Sequence, residues 1–341
     1  MLHFYVHTLP PKIPVTIPPP LTLPILQVSA ELQLPPTTVY SDVILHNWTI
    51  PNSTADCSNP IPTPENMRAR TLFTGSIDEE EFYMTPARIE LRGVEIFKLM
   101  HAILVDAASV DTDASAIQRI TTYLTELSSI IPELRTLLLA QRNKVDPDYY
   151  YKHIRPWLLG STSETPEGKW VFEGIERDPT LQLPTELFGS SAAQSSLIQS
   201  LDVFLGVDRY NDNNPNTSFI QQMRLYMPRK HRAFLEHLGD PGVMTMRPLR
   251  EVVKMASDKR LLEAYNSAVR SLKEFRDTHM IIITLYIIGP ARRLARMEKS
   301  GDNNDGGGGN GEPLKGTAGG DLAKLLKGFR DRTAGALMDS S

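Results

Sequence analysis

Apolar residues recur at alternating steps of three and four through residues 258–288 of this 341-residue chain. The stripe contains Leu262, Tyr265, Val269, Leu272, Ile283 and Tyr286. Such spacing places side chains on one face of an α-helix. Between Leu272 and Ile283, the same spacing reaches Arg276 and His279. The pattern therefore predicts a helix that carries a cation and an imidazole on the face that packs into the core.

These two polar side chains indicate a ligand site or a structural ion pair. A guanidinium keeps its charge when it is buried, so Arg276 needs an anionic partner. Burial disfavours the imidazolium form, and the neutral imidazole of His279 can bind a metal. A haem presents an iron and carboxylate propionates a few ångströms apart. This stretch alone leaves two interpretations open: a haem site, and an ordinary core histidine beside a structural ion pair.

The helical alternation extends over most of the chain after residue 80, and no segment alternates convincingly like a strand. Thr85 and Pro86 are typical of an N-cap followed by a first-turn proline, so we expect a helix to begin there. A second helix is predicted after Asp113. Further helices are predicted over 147–159, 192–206, 217–227, 229–238 and 247–256. The fold class is therefore all-α, with one large helical domain over residues 37–299.

The two ends of the chain differ from this domain in composition. Residues 1–36 hold nine of the 26 prolines, which predicts an extended arm or linker. A disordered leader over residues 1–20 explains the same composition. Residues 300–312 are rich in glycine and predict a flexible loop. Residues 313–341 then predict a lid segment and a C-terminal helix that Asp321 caps. An insertion without a function explains the same glycine-rich composition.

Composition and motifs exclude several classes of function. A net charge of -4 provides no basic field for nucleic acid or anionic lipid. A single cysteine, Cys57, permits neither an internal disulfide nor a zinc–thiolate site. We find no signal peptide and no apolar run long enough for a membrane span. The usual metalloprotease, hydrolase and P-loop motifs are absent from the sequence. We therefore expect a cytoplasmic protein, and a monomer.

A second unusual segment is "FGSSAAQSSLIQSLD", residues 188–202. From Gly189 to Ser196 it contains only glycine, serine, alanine and one glutamine. Small side chains allow a large flat ligand to approach the backbone, and they offer hydroxyl and amide donors. A generic junction between a loop and a helix explains the same composition. Asp202 follows on the same predicted helix and is a candidate counter-ion for Arg276.

Four blocks occur in a characteristic order: "FGSSAAQSSLIQSLDVFLG", "MRLYMPRKHRAFL", "FRDTHMIIITLYI" and "KGTAGGDL". Together they resemble the indoleamine 2,3-dioxygenase family, haem enzymes that open the indole ring of tryptophan. The resemblance covers roughly residues 21–331 and is greatest to the fungal members. It implies a non-covalent haem b with its iron, and L-tryptophan and dioxygen as substrates. It also implies the product N-formylkynurenine, and through kynurenine a place in NAD synthesis.

The resemblance also implies roles for individual residues. His279 matches the proximal iron ligand, and Arg276 with Asp202 matches the pair on the propionate side. The small-residue wall beside the haem matches Gly189, Ser190, Ser191 and Ala192. Arg155 matches the arginine that binds the substrate carboxylate, and Thr317 matches the lid threonine at the amino-acid end of the substrate. The substrate-binding set as a whole is Tyr40, Val43, Ile44, Phe82, Tyr83, Tyr150, Arg155, Ser191, Ala192 and Thr317.

The sequence departs from the family pattern in two places. Pro86 stands where family members have a distal-pocket serine, which implies a change in the shape of the pocket. The chain also begins in what would be the linker after a small N-terminal helical domain, so we expect part of the roof over the haem to be missing. Two alternatives to an active dioxygenase follow. One is a truncated haem-binding remnant with little or no activity, and the other is a helical scaffold without haem.

Overall fold

A computed structural model of the chain describes residues 2–8, 14–51, 61–161, 169–182, 186–207, 215–240, 247–301 and 322–339. Helices dominate these residues, which confirms the all-α prediction. They are α1 (Leu2–Thr8), α2 (Pro19–Leu32), α3 (Ile77–Ala107), α4 (Ala116–Ala140), α5 (Pro147–Tyr149), α6 (Ser196–Phe204), α7 (Pro215–Arg224), α8 (Arg229–Gly239), α9 (Leu249–Ala256), α10 (Lys259–Ile283), α11 (Gly289–Gly301) and α12 (Leu322–Gly335). Cys57, Thr317 and Asp321 lie outside the described residues.

Four short strands form two small sheets in the described part of the chain. They are β1 (Val15–Ile17), β2 (Trp48–Thr49), β3 (Arg68–Ala69) and β4 (Trp170–Phe172). β1 pairs in parallel with β4, and β2 pairs antiparallel with β3. At two or three residues each, these strands are too short to show an alternating pattern in the sequence. No helix in the described residues is both long and apolar enough to cross a membrane.

Three long helices, α3, α4 and α10, build the main core. α4 packs against both α3 and α10, and its predicted stripe is almost completely shielded from solvent. The shielded residues include Ile120, Leu124, Leu127, Ile131 and Leu134. On α10 the predicted stripe is buried too, at Tyr265, Val269 and Leu272. Burial of each such side chain contributes about 1.5–3 kcal/mol, so these interfaces dominate the stability of the domain.

The start of α3 lies nine residues before the position we predicted. Ser76 is the N-cap, and its hydroxyl accepts a hydrogen bond from the Glu79 N–H at 3.2 Å. The Glu79 carboxylate in turn accepts from the Thr74 N–H at 2.6 Å. Ser76 and Glu79 thus form a serine–glutamate capping arrangement, a stronger start signal than Thr85 before Pro86. Pro86 instead lies inside α3, where it cannot donate the usual backbone hydrogen bond.

The prediction of an extended arm is wrong for two stretches of residues 1–36. α1 and α2 are helical, and two prolines occupy the first turn of α2, where a missing N–H costs nothing. Both helices pack with the sheet of β1 and β4 in a small apolar cluster. Its members are Leu2, Val6, Ile17, Leu26, Trp170, Phe172 and Leu187. The division of the chain into arm, domain, loop and lid stays a prediction.

Candidate functional site

A cavity of about 260 Å³ opens between α3, α6, α10 and α12. Most of its wall is apolar. Twelve of the residues predicted for the site line it: Tyr40, Val43, Ile44, Phe82, Tyr83, Tyr150, Ser190, Ser191, Ala192, Asp202, Arg276 and His279. Pro86, the departure from the family pattern, lines it as well. The structure therefore brings together residues that are separated by more than two hundred positions in the sequence.

Three π-helical turns surround this cavity. They span Ser41–Leu45, Tyr150–Ile154 and Thr284–Ile288. Each contributes at least one side chain to the cavity wall, among them Ile44, Tyr150 and Tyr286. A π turn inserts an extra residue into a helix, and such turns occur often at functional sites. The third turn also connects α10 directly to α11. The helix therefore continues past residue 288, where we expected it to end.

His279 presents a neutral imidazole to the cavity. Burial, and after it the positive charge of Arg276, lowers the pKa of His279 to about 4. Among the described residues, the ring has no hydrogen-bond partner. The side chain comes from the last two turns of α10, whose other buried residues fix the orientation of the helix. His279 therefore lines the cavity in the protonation state that binds metals.

Arg276 lies one turn before His279 and forms the ion pair that the sequence suggested. Its Nη2 lies 2.5 Å from Asp202 Oδ1 and 2.6 Å from Asp202 Oδ2. Its Nη1 donates to the carbonyl oxygen of Phe329 at 3.2 Å and to the hydroxyl of Thr333. Both charged side chains are about nine-tenths shielded from solvent. The guanidinium therefore joins α10 to α6 and to α12 at one edge of the cavity.

These features fit a haem better than a metal ion held by the protein alone. No cluster of three or more metal-binding side chains occurs among the described residues. A single imidazole is enough for an iron that a macrocycle already holds. The small side chains of Ser190, Ser191 and Ala192 leave room for a flat ring, and Arg276 supplies a positive charge at its edge. The residues present therefore fit the cofactor that the resemblance implies.

Aromatic side chains form part of the cavity wall. The rings of Phe82 and Tyr150 lie 4.4 Å apart, and Tyr286 meets Tyr150 edge-on at 5.7 Å. The Tyr286 hydroxyl donates to the carbonyl oxygens of Gln141 and Val145. Burial raises the pKa of Tyr150 to about 12, and burial also raises the pKa of Tyr83. These phenols stay neutral at physiological pH, so this wall offers apolar ring surface.

Two predicted residues do not line the cavity. The guanidinium of Arg155 lies over the ring of Tyr151, 5.3 Å from its centre. Gly189 is explained by chain packing, because a Cβ there would lie 1.9 Å from the carbonyl oxygen of Leu158. Gly160 meets Leu187 in the same way. What approaches Gly189 is therefore a neighbouring backbone segment. The assignment of Gly189 to the cofactor stays a prediction, and so does the assignment of Arg155 and Thr317 to the substrate.

The sequence reasoning missed a third side of the cavity. α12 contributes Leu322, Leu325, Leu326 and Phe329, and α7 contributes Phe219 and Ile220. The signal on α12 was an amphipathic spacing of three and four, which indicates a buried face but not what it faces. Glu90 was also missed. It lies behind the wall on α3, and its carboxylate accepts hydrogen bonds from Tyr40 and Ser195.

Comparison with known proteins identifies the family of the chain. The sequence pattern of the family Indoleamine 2,3-dioxygenase matches residues 1–336, a longer stretch than the blocks alone suggested. Indoleamine 2,3-dioxygenase 1 of Rattus norvegicus is 30% identical over 327 residues, which cover 94% of this chain and 73% of the relative. The indoleamine 2,3-dioxygenase of Saccharomyces cerevisiae is 34% identical over 278 residues, which cover 79% of this chain and 58% of the relative.

A third relative extends the similarity among fungi. An indoleamine 2,3-dioxygenase of Aspergillus nanangensis is 30% identical over 334 residues, which cover 94% of this chain and 75% of the relative. Mammalian and fungal relatives thus match nearly the whole chain at similar identity. With the family match over residues 1–336, these similarities assign the chain: it belongs to the indoleamine 2,3-dioxygenase family.

Proposed function

We propose that this protein is a haem-dependent dioxygenase that opens the indole ring of L-tryptophan to N-formylkynurenine. The observation that carries the proposal is the neutral imidazole of His279, which has no hydrogen-bond partner among the described residues and faces an apolar cavity beside a charge-paired arginine. Membership of a family whose relatives are named dioxygenases supports it. The product would enter the kynurenine route to NAD.

His279 would hold the haem iron, and Arg276 would face the propionates. Asp202 keeps the guanidinium in place for this role, because both oxygens of the Asp202 carboxylate accept a hydrogen bond from Arg276 Nη2. Ser190, Ser191 and Ala192 would lie along the edge of the ring. When bound, the haem supplies the activation of dioxygen, which side chains cannot perform. The work left to the chain is binding, orientation and the exclusion of water.

The substrate would bind on the aromatic side of the cavity. Tyr40, Val43 and Ile44 would enclose the indole ring, with Phe82 and Tyr150 against its face. These groups are apolar or neutral, so they orient the ring and exclude water without transferring a proton. Arg155 would bind the substrate carboxylate with its planar fork of donors. Thr317 would approach the amino-acid end from the segment before α12.

The decisive experiment is turnover by the purified chain after reconstitution with haem. We expect a Soret band and the formation of N-formylkynurenine from L-tryptophan under reducing conditions. Haem binding without product would favour the alternative of a haem-binding remnant, and no haem binding at all would favour a helical scaffold. Either result contradicts the proposal.

A single substitution tests the binding mode of the substrate. Arg155→Ala should raise the Michaelis constant for L-tryptophan at least tenfold, since a charge-assisted hydrogen bond to a carboxylate is worth about 1.5–3 kcal/mol. Lys152→Ala is a matched control, because Lys152 is an exposed cation on the neighbouring turn. Equal Michaelis constants in both variants would show that Arg155 does not bind the carboxylate.

A further inference from the structure

Glu90 has no part in the proposed reaction, yet it contacts two residues of the cavity wall. It lies on α3, one turn after Pro86. One carboxylate oxygen, Oε1, accepts from the Tyr40 hydroxyl at 3.0 Å and from the Ser195 hydroxyl at 2.6 Å. Both donors line the cavity and are buried. A single acceptor on α3 therefore holds two other walls of the cavity at fixed distances.

Tyr40 is also held at its backbone. Its N–H donates to Gln194 Oε1 at 2.8 Å, and Gln194 Nε2 donates to the carbonyl oxygen of Gly189 at 2.8 Å. The main chain of Tyr40 is thus tied to the small-residue wall, while the tip of its ring is tied to α3. With both ends held, the ring of Tyr40 has one position in the cavity wall.

Ser195 connects the same carboxylate to α6. Its hydroxyl donates to Glu90 and accepts from the Ile198 N–H at 3.3 Å, so it is the N-cap of the helix that carries Asp202. The carboxylate therefore lies near the positive end of the α6 dipole. No described cation lies within ion-pair distance of Glu90. Two hydroxyls and the helix terminus are what stabilise its position.

We propose that Glu90 is a positioning residue that sets the size of indole ring the cavity accepts, by fixing the Tyr40 ring and the N-terminus of α6 against α3. The proposal rests on the proposed function and names its specificity determinant. Walls held in this way favour L-tryptophan over analogues that carry a substituent on the benzene ring of the indole. A methyl group on that ring needs extra room, which walls tied together by these hydrogen bonds provide less readily.

The test compares L-tryptophan with 5-methyl-L-tryptophan on the haem-loaded chain. Two ratios measure selectivity: that of kcat/KM for the two compounds, and that of their dissociation constants from spectral titration of the Soret band. Glu90→Leu and Tyr40→Phe should each lower the preference for L-tryptophan about tenfold, the discrimination that one methyl group carries in an apolar pocket. We expect the change mainly in KM, with kcat for L-tryptophan changed much less.

Three further variants separate positioning from a general structural effect. Glu90→Gln keeps an oxygen that accepts from both hydroxyls, so it should keep the selectivity of the parent. The double variant Glu90→Leu with Tyr40→Phe should lose no more selectivity than Glu90→Leu alone, because Glu90→Leu already removes the hydrogen bond that Tyr40→Phe removes. Glu95→Gln is the matched control, a half-exposed glutamate on the same helix whose partner is Arg92.

An unchanged or larger preference for L-tryptophan in both Glu90→Leu and Tyr40→Phe, with full haem content, would overturn the proposal. If Glu90→Leu fails to fold, Tyr40→Phe decides alone, since it removes only a hydroxyl. The ratio of dissociation constants tests Glu90 even in a chain that binds both compounds without turnover. Failure of the parent chain to bind or convert L-tryptophan would refute the proposed function, whereas unchanged selectivity in a working parent refutes only the role of Glu90.

Discussion

Two walls of the cavity each carry a carboxylate, and the two carboxylates are held by different chemistry. Asp202 on α6 pairs with the guanidinium of Arg276 through both of its oxygens. Glu90 on α3 accepts from two neutral hydroxyls through one oxygen and faces no described cation. We call the first the charged wall and the second the hydroxyl wall.

This difference decides whether the negative charge of the carboxylate stabilises the folded protein at each wall. At the charged wall, loss of the anion leaves a buried cation without its partner, which is among the most destabilising changes a protein can undergo. At the hydroxyl wall, the hydrogen bonds need an acceptor but not a full charge, and the charge itself is disfavoured by burial. Replacement of a carboxylate by an amide should therefore have opposite effects on stability at the two walls.

The largest effect is expected at His279, next to the charged wall. His279→Ala removes the imidazole that, alone among the described residues, faces the cavity, so the reconstituted protein should lose its Soret band. His237→Ala is the control, since His237 is exposed on α8. Absorption spectra after gel filtration with excess haem measure the outcome. If the His279 variant retains haem as tightly as the parent, another residue holds the iron.

The next effect in size is expected at the ion pair itself. Asp202→Asn should lower the free energy of unfolding by about 3–5 kcal/mol, because Arg276 would remain charged and buried without an anion. Asp277→Asn removes an exposed carboxylate that pairs with Lys273, and it should cost about 0–1 kcal/mol. Chemical denaturation of the haem-free protein measures both. Equal losses would mean that burial does not distinguish the two pairs.

The charged wall could be predicted from the sequence, whereas the hydroxyl wall could not. Arg276 and His279 interrupt an apolar stripe of regular spacing, and a cation on a buried face demands a partner, which led directly to Asp202. Glu90 lies on α3 among other polar residues, and nothing in its local spacing indicates that Tyr40 and Ser195 contact it. Those contacts join three separate segments, so they depend on tertiary packing that a periodic pattern does not contain.

The absence of tertiary packing from a periodic pattern also explains the other differences between the predicted and the observed fold. The proline-rich composition of residues 1–36 predicted an extended arm, but first-turn prolines are compatible with a helix, and burial against β4 stabilises α1 and α2. The start of α3 was assigned to Thr85, although Ser76 and Glu79 carry the stronger local signal. Long helices with regular stripes, such as α4 and α10, were predicted well because their periodicity alone determines which face is buried.

The smallest effect on the free energy of unfolding is expected at Glu90. The sign of that effect distinguishes the hydroxyl wall from the charged wall. Burial raises the pKa of Glu90 above its ordinary value, and the hydrogen bonds from Ser195 and Tyr40 only partly oppose this. A raised pKa in the folded state means that the folded chain binds a proton more tightly than the unfolded chain does. The contribution of Glu90 to stability is therefore greatest at low pH and is lost as the pH rises through the raised pKa.

Glu90→Gln removes this dependence, because an amide does not titrate and still accepts from both hydroxyls. At pH 7 the variant should be as stable as the parent or more stable, the opposite of Asp202→Asn. As the pH falls below the ordinary glutamate range, the parent becomes protonated at Glu90, and the difference between parent and variant should shrink towards zero. Denaturation of the haem-free proteins at a series of pH values measures that difference. A variant that is less stable at pH 7, by an amount that persists at low pH, would show that the hydroxyl wall depends on more than the acceptor oxygen.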